Sequence, residues 1–146
     1  MNFFEFAETL KNYSTSRFIY DLQSSLEKNS DVIQLQKDQW KKGLDAHGVI
    51  LGLYSMGTEA INPNKKAGTP FTLFDTGDFY EQTHVFGNVK DNDLLFNFDS
   101  SGTNTVALIA RLGERIFGLQ ENNKDQFTMI AQDVAIEILN TNLKLK

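Results

Sequence analysis

A chain of 146 residues, 40% of them hydrophobic and 23% charged, is too apolar to stay disordered and long enough to bury a core without staples. It contains no cysteine, which excludes disulfides, thiolate catalysis and cysteine zinc sites. The net charge of −5, with no concentrated basic patch, disfavours sequence-independent nucleic-acid binding.

No apolar run approaches the roughly 18 residues of a membrane span, and the opening "MNFFEFAETL" has neither the basic start nor the continuous apolar stretch of a signal peptide. The length predicts a single domain over residues 1–146, with an N-terminal helical region at about 2–28 and a mixed α/β core at about 43–140. Phe is abundant, at 12 residues. Bulky rings at that density suit a core built on a few large anchors, or an interface covered in an oligomer.

In chain order, Phe3, Phe6, Ala7 and Leu10 recur at helical spacing, and Phe18, Ile19, Leu22 and Leu26 continue it beyond a polar break. This predicts one long helix or two short ones, with Ser14-Thr15-Ser16 able to cap the second. The segment Asp31–Trp40 is ambiguous in type, and "KDQWKK" within and after it reads as a solvated helix face. Asp45-Ala46-His47-Gly48 reads as a turn, followed by an extended segment over Val49–Tyr54. Met56–Thr69, with Gly57, Pro63, Asn64 and Gly68, has the composition of a loop. A hairpin with an Asp-Asn turn joins "THVFGNVK" to "LLFNF", placing Leu94, Phe96 and Phe98 on one face. "TVALIARLG" predicts a short helix closed by Gly113. The last helix, about Asn123–Asn140 with a cap from Asn122 or Asn123, carries the stripe Phe127, Ile130, Ala131, Val134 and Ile138. Together these elements predict an α+β fold. A small antiparallel sheet containing the hairpin is packed by an N-terminal helix, a short helix and a C-terminal amphipathic helix.

Asp75-Thr76-Gly77 behind two apolar residues has the local pattern of an aspartic-protease carboxylate. Such chemistry needs two carboxylates sharing a proton, and no second Asp-Thr-Gly or Asp-Ser-Gly exists. A retroviral-type homodimer using Asp75 is therefore the only enzymatic route, and it is the alternative function. It has Asp78 where those enzymes carry a small residue. The structural reading makes Asp75 and Thr76 helix starters and Gly77 a tight turn. Glu81 and His84 have the spacing of two metal ligands on one helical face, but only one such pair is present. His47 reads as a solvated loop residue. No phosphate-binding glycine loop and no marked nucleophile occurs.

The combination of "LFDTGDFYEQTHVF", a hairpin, "RLGERIFGL" and a terminal amphipathic helix resembles the tail-completion or head-tail joining proteins of tailed bacteriophages. It is closest to minor capsid and morphogenesis proteins of crAss-like and related phages. The positions that carry the resemblance are Leu73, Asp75, Thr76, Gly77 and Phe79, then Gly113, Phe117 and Gly118. Upstream, "GLDAHGVILGLYS" with Thr58 and the lysine-bearing "NPNKKAG" are similar to the family's segments before its motif, so that the likeness spans about Gly43–Leu139. "GLQENN" departs from the Thr or Ser that commonly opens the family's last helix.

The resemblance implies a non-enzymatic virion component without catalytic residues, metal or cofactor, assembled in the bacterial cytoplasm. It implies a ring of identical subunits at the neck or tail end, contacting portal, adaptor or tail proteins, with no membrane and no specific nucleic acid. A ring lumen near packaged DNA would be served by an acidic wall, in keeping with the charge of −5. The candidate partner-facing regions are the N-terminal helix and the Met56–Thr69 loop, with Lys65, Lys66 and Trp40 as candidate contacts.

Overall fold

The computed structural model describes residues 2–91 and 93–143. The side chains of Phe6 and Leu10 lie outside the described residues, as does Asn92 of the predicted hairpin turn. The described chain is mixed helix and strand, with seven α-helices and one two-stranded antiparallel sheet.

The N-terminal region forms two helices, α1 (Phe3–Asn12) and α2 (Thr15–Glu27). Asn2 opens α1 through a capping box with Glu5, and Ser14 opens α2, its hydroxyl accepting from the Arg17 amide at 3.2 Å. Phe18, Ile19 and Leu22 are half-buried and Leu26 is buried, as the helical spacing predicts. Of the stripe predicted for α1, two members are described. Phe3 and Ala7 are exposed, and α1 packs on the long C-terminal helix.

The ambiguous segment is a helix, α3 (Ser30–Lys41), capped by Asn29, whose side chain accepts from the amides of Asp31 and Val32. Its buried face is Val32, Leu35, Gln36, Gln39 and Trp40. These follow the period of a helix, but two of the five are glutamines, so apolar spacing alone does not reveal the face. "KDQWKK" is correspondingly only half solvated: Lys41 and Lys42 are exposed, while Gln39 and Trp40 are buried.

After a turn at Asp45–Gly48, Val49–Tyr54 is extended but joins no strand. It makes isolated bridges, Leu44 with Ile50 and Leu53 with Pro70. The predicted loop at Met56–Thr69 begins with a short helix, α4 (Met56–Ile61), which Ser55 caps by accepting from the Thr58 amide at 3.1 Å. A further short helix, α5 (Asp78–Glu81), leads into the hairpin of β1 (Thr83–Lys90) and β2 (Asp93–Ser100), whose register runs from Thr83↔Ser100 to Lys90↔Asp93. Two residues remain for the turn, and Asp91 sits at φ +52°. Phe98 is buried and Leu94 and Phe96 half-buried on the inner face, as alternation predicts.

The two edges of the hairpin differ. Gly87 of β1 gives its N–H to Glu27 Oε1 and its carbonyl accepts from Gln23 Nε2, each at 2.9 Å, so side chains of α2 take the place of a neighbouring strand. Only glycine permits that approach, since a Cβ there would meet Gln23 Cγ and the Phe96 ring at 2.9 Å. Because both backbone groups of Gly87 face α2, its antiparallel partner Phe96 must turn its own N–H and carbonyl off the opposite edge, along β2.

Helix α6 (Thr105–Leu112) ends at Gly113, φ +85°, whose N–H returns to the Ile109 carbonyl at 2.8 Å. This is the predicted glycine terminus. A 3-10 turn (Glu114–Ile116) follows, and then α7 (Glu121–Leu143). Helix α7 starts before Asn122 and Asn123, so neither is its cap; Asn123 instead donates to Gln39 Oε1 at 2.9 Å.

The interior consists of two clusters. An aliphatic one gathers Leu26, Val32, Leu35, Val85, Phe98 and Leu119, with Phe127, Ile130, Ala131 and Val134 of α7 half-buried against it. An aromatic one gathers Trp40, Leu51, Leu73, Phe79, Tyr80 and Ile116. Phe117 packs against both.

Candidate functional site

The aromatic cluster rests on a polar clamp supplied by α3. Trp40 is 0% exposed, and its indole N–H donates to the Ile116 carbonyl at 2.6 Å. Gln36 Oε1 accepts from the Gly118 N–H at 2.7 Å. Gln39 Nε2 donates to the carbonyls of Asp45 and Gly118, each at 2.8 Å, and Gln39 Oε1 accepts from the Gln120 N–H at 3.0 Å. One face of a helix thus satisfies the backbone of the irregular 116–120 segment, which no strand would otherwise pair. Gly118, at φ +117°, is required there because a Cβ would approach Ala46 Cβ to 3.0 Å.

Asp45 secures the adjoining turn. Its carboxylate accepts from the amides of His47 (2.8 Å) and Val49 (2.9 Å) and pairs with Arg115 Nη1 at 2.8 Å. Burial by itself would raise the Asp45 pKa, but the hydrogen bonds from Val49, Arg115 and His47 outweigh it and hold the group below the ordinary carboxylate range. His47 is exposed, as expected of a loop residue.

Above the clamp lies a cleft of about 290 Å³ between α4, the 71–77 segment and α6. Its floor is carbon: Tyr54, Phe71, Leu73, Phe79, Leu108 and Leu112 contribute to the lining. Tyr54 and Phe71 meet edge to face with centroids 4.9 Å apart, a favoured aromatic geometry. The peptide of Thr72 is held between two tyrosines, its N–H donating to Tyr54 Oη at 3.2 Å and its carbonyl accepting from the Tyr80 hydroxyl. Burial pushes the Tyr80 pKa up, which keeps that hydroxyl protonated as a donor. Two cations stand at the rim. Arg111 lies 5.0 Å from the Phe71 ring centroid, and Lys65 lies 6.0 Å from that of Tyr54.

The residues singled out in the sequence divide between cleft and clamp. Asp75, Thr76, Gly77, Phe79 and Lys65 line the cleft. Gly77, at φ +92°, is the N-cap position of α5, and Thr76 Oγ1 accepts from the Asp78 amide at 3.3 Å, so Thr76 and Gly77 turn the chain into the helix as the structural reading predicts, whereas Asp75 caps no α5 amide. Asp75 is exposed and pairs with Lys65 Nζ at 3.1 Å. The adjacent Asp78 is turned to Thr103, accepting from its N–H at 2.7 Å and its hydroxyl at 3.1 Å. Phe79 and Phe117 join Trp40 in the core, with ring centroids 4.7 and 6.0 Å from it. Trp40 is therefore not a surface for partners: its position on α3 turns it wholly inward. Lys66 is exposed outside the cleft lining, 3.6 Å from Glu59.

Glu81 and His84 share no helical face, since α5 ends at Glu81 and His84 opens onto β1. Among the described residues no group of three or more His, Cys, Asp or Glu is placed to hold a metal ion, and no described helix is long and apolar enough to cross a membrane. Sequence reasoning missed Tyr54, Phe71 and Arg111 of the cleft and the Asp45–Arg115 pair. The pair spans 70 positions, and no local pattern signals such a partner.

No protein-family model matches the chain, and neither a curated protein nor a solved structure matches it.

Proposed function

We propose that this chain is a non-enzymatic structural part of a tailed-phage particle, acting at the neck or tail end by associating with copies of itself and with portal, adaptor or tail proteins. The observation that carries this reading is the bulky apolar surface left uncovered: Phe3, Phe4, Met56, Ile61 and Val106 are each more than three-quarters exposed. Isolated exposed apolar residues are ordinary, but a pair of exposed rings such as Phe3 and Phe4, 5.8 Å apart, marks a surface that another chain covers. The open backbone edge of β2 adds a second place where a strand could be accommodated. The resemblance of Leu73, Asp75–Gly77, Phe79, Gly113, Phe117 and Gly118 to the tail-completion family supplies the setting. Two distinct patches meeting head to tail close into a ring when the rotation closes.

Quantitative mass spectrometry of purified particles from the encoding phage or prophage tests this. The expected result is a fixed copy ratio of this chain to the portal protein. Complete tailed particles lacking the chain would overturn its role as a retained neck or tail component.

A further inference from the structure

We infer that the aromatic cleft between α4, the 71–77 segment and α6 receives helix α1 of a second copy of this chain, Phe4 entering the cleft and Glu8 meeting Arg111 at its rim. The inference deepens the ring reading above and rests on it.

Phe3 and Phe4 are 76% and 82% exposed in the single chain. Their helix is nevertheless formed and capped, so what α1 presents is ordered apolar surface without a cover. Phe4 and Glu8 are four residues apart and therefore lie on one face of α1, one turn above the other. That face couples an aromatic ring to a carboxylate. The cleft offers the complement: an aromatic floor of Tyr54, Phe71 and Phe79 with Arg111 exposed at the edge. Lys65 at the same rim is already occupied by Asp75, whereas Arg111 makes no ion pair among the described residues, which leaves its charge to an incoming carboxylate. Size agrees as well. At about 290 Å³ the cleft has about twice the volume of the ~150 Å³ apolar cavity that takes up benzene in an engineered protein, ample room for the Phe4 ring.

The two surfaces are different patches of one molecule, so the contact is head to tail. The β1–β2 sheet cannot supply the same propagation, because α2 closes the β1 edge. A contact through α1 and the cleft repeats without limit until the ring closes.

The test uses full-length chains and light scattering after size exclusion, with thermal unfolding as a control for folding, since Phe4, Glu8 and Arg111 are all exposed. Wild type is expected to associate with concentration. Phe4→Ser, Glu8→Arg and Arg111→Glu should each weaken association at least tenfold while still unfolding in one cooperative transition. Mixing the Glu8→Arg chain with the Arg111→Glu chain should restore association, because each α1 then finds a complementary cleft in the other chain. Oligomers that persist unchanged in Phe4→Ser and Arg111→Glu would overturn this contact and leave the ring reading standing. A wild-type chain that stays monomeric at every concentration would overturn both.

Discussion

The two clusters inside this molecule are held together differently. The aliphatic one is the familiar case: α2, α3 and α7 lay apolar faces against the hairpin, and all of its buried members except Leu119 belong to a helix or strand. The aromatic one draws Leu51, Leu73 and Ile116 from segments without continuous secondary structure. Around Ile116 the backbone groups are paired by the side chains of Gln36, Gln39 and Trp40, and Leu51 gives its N–H to the Gly43 carbonyl while its own carbonyl accepts from Arg115. The cleft is built on this second cluster. What positions the candidate site is therefore a set of side-chain hydrogen bonds to backbone more than a layer of helices, and damage to the clamp should be felt there first.

The sharpest way to break the comparison is to truncate one anchor in each cluster. Trp40→Ala removes a fully buried ring and orphans the Ile116 carbonyl, so a loss of about 3–5 kcal/mol is expected. Leu26→Ala in the aliphatic cluster should cost nearer ~2–3 kcal/mol, because half-buried neighbours such as Leu22 and Val134 can close on the gap. Urea unfolding followed by circular dichroism measures both. Equal losses would show that the two clusters do not differ in how much each depends on its anchor.

This difference also sets what the sequence could reveal. Helices α2 and α7 and the hairpin were legible because Leu22, Leu26, Ile130, Val134, Phe96 and Phe98 repeat at the period of their element. Gly77 and Gly113 were legible because a positive φ leaves a local mark. The buried face of α3 was hidden by Gln36 and Gln39, which sequence reading assigns to solvent, and Trp40 was mistaken for a surface residue beside its lysines. Helix α4 was hidden by Gly57 and Pro63 around a six-residue helix. Of the cleft, the 73–79 half was visible as a motif. Tyr54, Phe71 and Arg111 come to it from elsewhere in the chain, and only tertiary packing assembles them.

A second test of the clamp changes chemistry at nearly constant volume. Gln39→Leu keeps the interior filled but leaves the Gly118 carbonyl and the Gln120 N–H without their partner, while the Asp45 carbonyl keeps the Gly48 N–H. The expected cost is about 2–4 kcal/mol, at roughly 1–3 kcal/mol for each buried group left unpaired and with water reaching part of the site. A Gln39→Leu variant as stable as wild type would mean that the 116–120 segment finds other partners and that the amide clamp is dispensable.

The smallest expected effect isolates one contact of the second cluster, the Asp45 carboxylate. Asp45→Asn preserves an oxygen for the His47 and Val49 amides while removing the charge opposite Arg115, so a loss of about 1–2 kcal/mol is expected at neutral pH. The pH dependence identifies its source. The folded-state pKa of Asp45 is lowered, so its contribution is complete above the unfolded-state value near ~4 and disappears as pH falls through the folded value. Wild type should therefore lose its advantage over the Asn variant only below about pH 4, in unfolding curves recorded side by side. A gap that stays constant through that range would assign the loss to rearranged hydrogen bonding in the turn, and the ion pair would then have no part in holding the 45–49 turn against the 3-10 segment that carries Arg115.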